Sequence, residues 1–439
     1  MPGKKGPLIR PVRLPRRRFL KWAAGLASGL FFSRWLPNTW VSRALAAGPR
    51  VVSVSSAEAT SWDFAAGYHW DFINQDAVNR MVDAGVAALT GIGDLGAAWR
   101  SLVPYQAGQA VVLKVNLNNA FDCNAQENRM DAYPETINAV IRGLKMIGVP
   151  GNRIWIADPS RVIPYRFRSR IIDQNVRFYM SVDYSPCAVN CYPADYVDAG
   201  TAACSYATYP AGDCIRPAQV FVDAHHLISI PLLKGHWGAG ITLGLKNHYG
   251  SVRFTGGNQW SERNARHVYI YKDAAGNPDP NKSLLADVNN NPHIRYKTRL
   301  TIGDGLFGHS YANTEPPERW NIFGNKSPNI LFFGRDPVAV DSVMGDYLNA
   351  ERAARGIPLA FHPCLHYAQT LGLGVHDHWS GPAKRRYTYI DYVEMTLSSA
   401  GIAGILGTLL TASLLSLLAY PKPGKKRLSA RANAVRLSH

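Results

Sequence analysis

The sequence predicts an α/β fold with a largely parallel sheet and helices on both faces. Strand-like and helix-like segments alternate along the body of the 439-residue chain, and this alternation is typical of βαβ units. The strand-like segments are short, nearly continuous apolar runs such as residues 111–113, as expected for strands covered on both faces. Polar side chains recur where these runs end, and ligands of open α/β sheets gather there.

Each predicted element has a local signal. β-branched and aromatic residues predict strands at residues 51–55, 110–117, 154–158, 227–231, 300–303 and 329–333. Apolar residues at helical spacing predict helices at residues 71–88, 134–147, 238–249 and 338–352. Pro134 suits a first helical turn. Asn, Asp, Gly and Pro are frequent in residues 258–291, which predicts a long surface excursion.

The N-terminal segment resembles a twin-arginine export signal. Residues 16–21 read Arg-Arg-Arg-Phe-Leu-Lys, an uncharged segment follows at 22–33, and residues 44–46 read Ala-Leu-Ala, a small-residue cleavage pattern. The expectation is a signal peptide at 1–46, a chain that folds before export, and the twin-arginine translocation machinery as a partner. A Sec signal or a basic amphipathic helix are the alternatives.

A second apolar segment lies near the C-terminus. Residues 395–420 carry no charge, and their apolar centre at 402–419 is long enough to cross a bilayer, which takes about 20 residues. The tail at 421–439 is basic and contains no acid, so the positive-inside rule places it in the cytoplasm. We therefore expect an anchor in the bacterial inner membrane and a periplasmic body at 47–394. The basic residues at 384–386 argue for the opposite orientation, and a buried soluble helix is the alternative.

The net charge of +17 comes almost entirely from the two ends of the chain. Residues 1–46 hold ten Lys or Arg and the tail holds six, with no acidic residue in either, which leaves +1 for the body. Targeting and membrane topology account for both basic blocks. The charge therefore predicts no nucleic-acid partner.

Four of the six cysteines fall in a Tyr-, Pro- and Ala-rich loop at 187–214. The six are Cys123, Cys187, Cys191, Cys204, Cys214 and Cys364. The spacings within the loop match neither a ferredoxin-type cluster motif nor a zinc ribbon. In an oxidising compartment they predict two local disulfides, with three pairings open, and a metal or cluster site is the alternative. The two cysteines outside the loop either pair across the fold or stay as thiols.

The candidate ligand-binding residues follow predicted strands or begin the next helix. They are Lys114, Asn116, Lys246, Asn247 and Asp336. Lysine side chains and backbone amides at a helix start hold carboxylates and phosphates, so a small anionic ligand is expected. For any one of them, a helix cap or a solvated loop charge is the alternative, above all for Asp336, which precedes a proline.

Two further sets complete the candidate site. Lys234 and His236, just after the fourth predicted strand, are the candidate catalytic residues. The alternative to an anionic ligand is a divalent metal ion. Histidine nitrogen and carboxylate oxygen are ligands that such an ion accepts. Its candidate ligands are His236, His248, Asp304 and Asp341. Six residues are expected to line one pocket: Lys114, Asn116, Lys234, His236, Lys246 and Asp336.

Five ordered blocks resemble the signature of the domain of unknown function 362 family. The blocks lie at 114–116, 231–236, 244–250, 304–308 and 336–341, and the resemblance extends over roughly residues 51–374. Because the family includes members fused to ferredoxin-type iron-sulfur clusters, the resemblance implies a redox association. This chain has no ferredoxin cysteine run, and Val115 stands where the family often has proline. The loop at 187–214 looks like an addition peculiar to this chain, so the resemblance implies no role for it.

Two functional hypotheses follow. The first is a membrane-anchored periplasmic enzyme, redox-linked or metal-assisted, that acts on a small anionic ligand. The second is a non-catalytic binding or assembly module whose Tyr- and Trp-rich loops bind a partner protein. The chain lacks Gly-x-Gly-x-x-Gly after a strand, a Walker loop, Gly-x-Ser-x-Gly and His-Glu-x-x-His. Dinucleotide binding, nucleotide hydrolysis and common hydrolase or zinc-protease mechanisms are therefore disfavoured.

Overall fold

A computed structural model describes the body of the chain. The described residues are 48–197, 215–237, 239–254, 270, 279, 281–360 and 363–398. The predicted signal peptide, the apolar centre of the predicted anchor and the basic tail lie outside them. So do two cysteines of the predicted disulfide loop, Cys204 and Cys214.

The described strands are short, apart from one long central strand. They are β1 (Arg50–Ser56), β2 (Val111–Lys114), β3 (Ile154–Asp158), β4 (Arg177–Met180), β5 (Cys191–Pro193), β6 (Ile215–Pro217), β7 (His226–Ser229), β8 (Leu232–His236), β9 (Gly240–Thr242), β10 (Val252–Phe254), β11 (Thr298–His309), β12 (Ile330–Gly334) and β13 (Asp391–Leu397).

Helices connect many of these strands. They are α1 (Gln75–Thr90), α2 (Leu95–Leu102), α3 (Pro134–Met146), α4 (Tyr165–Arg168), α5 (Gln219–Asp223), α6 (Gly244–Asn247), α7 (Leu284–Asn289), α8 (Pro292–Arg295), α9 (Pro337–Ala354) and α10 (Pro363–Thr370). Single 3₁₀ turns lie at His69–Phe72, Gly151–Arg153, His248–Ser251 and Asn321–Phe323.

Most described strands join one mixed sheet in which parallel pairs predominate. Its order is β13-β1-β12-β11-β7-β2-β3-β4-β5, with β8 branching from β11 and β9 pairing with β8, while β6 and β10 form a separate pair. Strand β12 is antiparallel to both β1 and β11. As a result β1 and β13 run in the same direction as β11, β7, β2 and β3. The carboxyl ends of these strands therefore lie at one edge, as in the predicted fold class.

Helices cover both faces of the sheet, as predicted. Val52 and Val54 pack into a core cluster with α1, α2 and α3, whereas Val51 packs into a second cluster with α9 and α10. Successive strand residues point to opposite faces, so this division along β1 places one helical layer on each side. In the first layer Gly143 lies under the Trp99 ring, and a Cβ there would come within 2.0 Å of Trp99 Cε2.

All six predicted strands are present, but one predicted helix is wrong. Residues 238–249 were expected to be helical, whereas Gly240–Thr242 forms β9, paired antiparallel with β8. Gly240 has φ of 74°, a left-handed conformation that glycine tolerates and that helps the chain reverse after β8. Only Gly244–Asn247 is α-helical, because pairing with β8 overrides the apolar spacing of the preceding residues.

Two predicted boundaries are also corrected. The predicted surface excursion at 258–291 includes the short helix α7, whose residues are buried. The predicted anchor begins at Met395, yet residues 395–397 are the last three of β13, which pairs with β1. The sheet therefore extends three residues beyond the predicted end of the body.

In the described part of the chain, no single helix combines the length and apolar character of a membrane span. The pair α1 and α2, bent by 66° at the break between them, meets the length and composition criteria only when the two helices are taken together.

The prediction of two disulfides within the loop is wrong for Cys187 and Cys191, the two loop cysteines that the structure describes. Cys187 is bonded to Cys123, 64 residues earlier, with an S–S distance of 2.09 Å. Cys191 and Cys364 are buried thiols, and burial raises the pKa of each. Cys191 begins β5 and packs in the core, whereas the Cys187 sulfur reaches the loop after β2. The disulfide thus ties the start of the cysteine-rich loop to the loop after β2.

Candidate functional site

A cavity of about 510 Å³ lies where β2, β3 and β8 end. Five residues of the predicted site line it, and they come from the ends of strands β2 and β8 and from helix α6. These five are Lys114, Asn116, His236, Lys246 and Asn247. The structure thus brings these five residues together in one crevice.

Lys114 is the last residue of β2 and forms a buried ion pair. Its Nζ lies 3.5 Å from Asp158 Oδ1 at the end of β3, and the two side chains are 1% and 3% exposed. The ammonium also donates to the carbonyl oxygen of Val115 and, over 3.3 Å, to Asn247 Oδ1. A buried pair with further hydrogen bonds of this kind can offset the desolvation of both charges.

Asp158 is held ionised by its surroundings. It accepts hydrogen bonds from the Leu117 amide at 2.8 Å and from the Ser160 hydroxyl at 2.7 Å. Burial alone would raise the pKa of Asp158, but Lys114 and these donors outweigh burial, and the pKa lies below its usual value. The Lys114–Asp158 pair is therefore a fixed, charged element of the cavity wall.

Two more cations line the cavity, each over an aromatic ring. Arg161 Nε donates to the Asn118 carbonyl oxygen at 2.8 Å, and the guanidinium carbon lies 5.1 Å from the centroid of the Phe121 ring. Lys246 Nζ lies 4.2 Å from the centroid of the Tyr249 ring. The lining thus contains three cationic side chains and one carboxylate.

Hydrogen bonds fix the tautomer of His236. The amide of Ala239 donates to His236 Nδ1 at 2.9 Å, so in the neutral ring the proton resides on Nε2. The ring is stacked against Trp237, with 5.7 Å between centroids. His236 can therefore act as a hydrogen-bond donor through Nε2.

Asn247 connects three elements around the cavity. Its Nδ2 donates to the Lys114 carbonyl oxygen at 3.2 Å and to the Ser229 hydroxyl oxygen at 3.1 Å, while its Oδ1 accepts from Lys114 Nζ. This residue links α6 to β2 and β7. It holds Lys114 in place at the strand end.

Lys234 does not line the cavity, contrary to the prediction. It lies in the middle of β8, paired with Thr242 of β9 on one side and His309 of β11 on the other. Its fully buried Nζ donates to the Met130 carbonyl oxygen at 3.0 Å, and burial lowers its pKa to about 8 against the effect of Asp131. The strand continues two residues further, so His236 reaches the cavity and Lys234 stays beneath it.

Asp336 is also outside this cavity and caps a helix. Its Oδ1 accepts hydrogen bonds from the amides of Val338 and Ala339, both at 2.9 Å, at the start of α9. Its Oδ2 accepts from the amide of Val375 at 2.8 Å. Burial raises the pKa of Asp336 although these amides oppose the shift. The capping alternative is therefore correct for this residue.

The four predicted metal ligands are not brought together. His248 Nδ1 hydrogen-bonds the Ser251 hydroxyl at 3.0 Å, and burial lowers its pKa to about 3. Asp304 accepts from the Thr136 hydroxyl at 2.7 Å, and Asp341 accepts from the Gly244 amide at 2.6 Å.

Each of these side chains has a local partner of its own. Burial raises the pKa of Asp304 and that of Asp341 to about 7. Nowhere among the described residues do three or more His, Cys, Asp or Glu side chains form a group suited to a metal ion.

The sequence prediction missed several residues of the cavity wall. Arg161 lies three residues after the end of β3, so the expectation that polar residues after strands gather at the site also applies to it. Asn118 and Phe121 belong to the loop that follows Asn116. Asn313, from the loop after β11, carries no comparable signal, because its position depends on how distant loops pack together.

Comparison with known families gives one match. The model of a family described as Domain of unknown function (DUF362) matches residues 111–346. The matched segment begins with β2 and contains all the cavity residues discussed above. No curated protein and no solved structure matches the chain.

Proposed function

The chain belongs to the DUF362 family, and we propose that it binds a small anionic molecule in the cavity at the ends of β2, β3 and β8. The observation that carries the proposal is the charge of the cavity wall. The lining holds three cations, Lys114, Arg161 and Lys246, and a single carboxylate, that of Asp158. In a partly enclosed site such charges are screened less than at the surface.

The geometry also supplies hydrogen-bond donors for the ligand. Nε2 of neutral His236 donates. The Arg161 guanidinium already donates to Asn118 and to the Ser160 carbonyl oxygen, so it is held in the wall and contributes its positive charge. Lys246 is half-buried on α6 and adds a point charge. If the ligand is also transformed, we assign proton transfer to His236, because Lys234 lies beneath the cavity.

Ligand-induced stabilisation tests the proposal. The full-length protein is heated with inorganic phosphate, sulfate, citrate or succinate, and its unfolding is followed by fluorescence. A bound anion stabilises the folded state by about 2.7 kcal/mol at one hundred times its dissociation constant. We expect at least one of these anions to raise the melting temperature, and Lys246→Ala to reduce the shift without changing the melting temperature of the ligand-free protein.

A matched control separates the cavity from general ionic effects. Lys326 is an exposed lysine outside the cavity, so Lys326→Ala should respond to the anion as the wild type does. The binding proposal fails if none of the anions stabilises the protein. It also fails if Lys246→Ala and Lys326→Ala respond equally.

We further propose that the protein acts at the periplasmic face of a bacterial inner membrane. The arginine-rich N-terminal segment and the apolar segment at 402–419 support this location. Replacing Arg16, Arg17 and Arg18 by lysine should leave a precursor in the cytoplasm. Truncation after Ser398, which keeps all of β13, should release the body into the periplasm. Export of the lysine variant at the normal level would contradict the twin-arginine route.

A further inference from the structure

A second cavity, of about 460 Å³, has walls from strands β7 and β11 and from helices α6, α7 and α8. Its volume falls in the range of about 300–1,000 Å³ that is usual for small-molecule sites. None of the described residues that line it also lines the anion cavity. The ligand proposed above therefore does not account for this second cavity.

Two hydroxyl groups lie side by side on the sheet in the wall of the second cavity. Thr301 of β11 is paired in register with Ser229 of β7, and neighbouring strands lie about 4.8 Å apart. The Thr301 hydroxyl is buried and has no hydrogen-bond partner in the described part of the chain. Ser229 accepts from Asn247 Nδ2 at 3.1 Å, which leaves the Ser229 proton available as a donor. A buried hydroxyl without a partner is unusual and costs free energy.

Asn289 of α7 adds an acceptor to the same wall. Its Nδ2 donates to two carbonyl oxygens, of Leu245 at 2.8 Å and of Leu285 at 2.7 Å, and its other amide atom, Oδ1, is an acceptor. Asn289 is 4% exposed, and Ser229 and Thr301 are exposed still less. Together these three side chains offer both donors and acceptors. A ligand hydroxyl needs both, because it donates one hydrogen bond and accepts others.

Two arginines in the wall are more open to solvent than these polar groups. Arg335 is exposed and Arg295 is half-buried. In the described part of the chain both donate hydrogen bonds to neutral oxygens only, whereas a third arginine, Arg50, is paired with Asp391 at 2.8 Å. The carboxylate of Asp336, which also lines the cavity, is engaged by three backbone amides. Arg295 and Arg335 therefore retain N–H groups for an anion.

The segment after α10 connects the two arginines. The Gly372 carbonyl oxygen accepts from Arg295 Nη2 at 2.9 Å. Three residues later the Val375 amide donates to Asp336, the chain neighbour of Arg335, at 2.8 Å. Both guanidinium groups thus belong to the same side of the cavity wall.

We propose that the second cavity binds a small polyol that carries one anionic group, either a carboxylate or a phosphate. The ligand hydroxyls pair with Ser229, Thr301 and Asn289. The anionic group binds Arg295 and Arg335, because planar guanidinium groups suit the oxygens of carboxylates and phosphates. This site does not depend on anion binding in the first cavity.

Isothermal titration of the full-length protein tests the site with gluconate and with glycerol 3-phosphate. Each probe carries hydroxyls and one anionic group, so at least one should bind saturably, and the tighter probe identifies the anionic group. Glycerol and inorganic phosphate each carry only one of these features. In a Lys246→Ala background, which weakens the anion cavity, both should bind at least about 10-fold more weakly than the better probe.

Thr301→Val replaces the hydroxyl by a methyl group of similar shape. Because this hydroxyl has no partner among the described residues, the ligand-free variant should unfold at the wild-type temperature or above it. Its affinity for the bound probe should fall about 10-fold. Arg335→Gln should also weaken binding. Arg153→Gln, at an exposed arginine outside the cavity, should bind the probe as the wild type does.

The two cavities are distinguished by their variants. Absence of binding by both probes overturns the proposal, and so does wild-type affinity in Thr301→Val. A probe whose binding is lost in Lys246→Ala but retained in Thr301→Val lies in the anion cavity. That outcome overturns the polyol site and supports the first proposal, whereas the reverse pattern supports the polyol site alone.

Discussion

Asp158 and Asp341 are both buried carboxylates beside the sheet, yet their surroundings shift their pKa values in opposite directions. Asp158 faces the ammonium of Lys114 and has a lowered pKa. Asp341, on α9, accepts hydrogen bonds from the amides of Gly244 and Leu245, and burial raises its pKa to about 7. A cationic partner offsets the desolvation of a carboxylate, whereas two neutral donors do not.

The same contrast distinguishes the end of β3, which borders the cavity, from the end of β12, where a helix begins. At the end of β3 the chain turns into a loop, and Asp158 meets a side-chain cation from the neighbouring strand. At the end of β12 the chain enters α9 directly, and Asp336 meets the free amides of the first turn. The polar residue that ends β3 therefore belongs to the cavity wall, whereas the one that precedes α9 caps that helix.

Breaking the ion pair should produce the largest effect. Lys114→Met leaves the Asp158 carboxylate buried without its cation, which costs about 3–5 kcal/mol of unfolding free energy. The double variant Lys114→Met, Asp158→Asn removes both charges and keeps an acceptor for the Leu117 amide. It should recover most of the loss in urea unfolding measured at pH 7.

A pair of the same type with an exposed lysine serves as the control. Lys145 lies 2.5 Å from Asp173, but its side chain is 49% exposed. Lys145→Met should cost no more than about 1 kcal/mol. Equal losses for Lys114→Met and Lys145→Met would show that burial does not distinguish the two pairs.

The carboxylates with neutral partners should make stability fall as pH rises. The folded protein retains the proton of Asp304 up to a pKa of about 7, against a usual value of 3.8. The contribution of the protonated Asp304 carboxyl group to the free energy of unfolding is therefore fully present below pH 3.8. It is lost as pH rises through about 7. Asp304→Asn should remove this part of the decline, on the order of a few kcal/mol.

Urea unfolding at pH 5 and pH 8 measures the effect of Asp304. The free energy of unfolding should fall between these two pH values by less in Asp304→Asn than in the wild type. Glu127→Gln, which changes an exposed acid, should retain the wild-type decline. An identical decline in Asp304→Asn would mean that this carboxyl group ionises normally.

Removing the helix cap should produce the smallest effect. Asp336→Ala loses the side chain that accepts the first amides of α9, which typically costs about 1 kcal/mol. Anion binding should be unchanged, because Asp336 lies outside the anion cavity. Thermal unfolding with and without the anion identified for the wild type measures both quantities. If Asp336→Ala lost anion binding without losing stability, Asp336 would be a ligand-binding residue and not only a helix cap.

The elements predicted best have strong local signals. Strand β3 and helix α3 match their predicted positions within a residue, because an apolar run and a proline at the helix start define them. Strand β9 was missed because it exists through its pairing with β8. Sequence spacing does not report such pairing.

The site was predicted in part for a related reason. Strand ends identified Lys114 and His236 because parallel topology gathers those ends at one edge. Lys234 was misplaced because the position where β8 ends depends on pairing with β9 and β11.

The pairing of β1 constrains how the protein is made. β1 is the first described strand, yet it lies between β12 and β13 and pairs with β13 over seven residue positions. These contacts have high sequence separation, and such contact order slows folding. Until ribosomes have synthesised residue 397, β1 lacks its last partner and an unpaired strand edge is left exposed to aggregation. The sheet can therefore be completed only after the chain has been synthesised through β13.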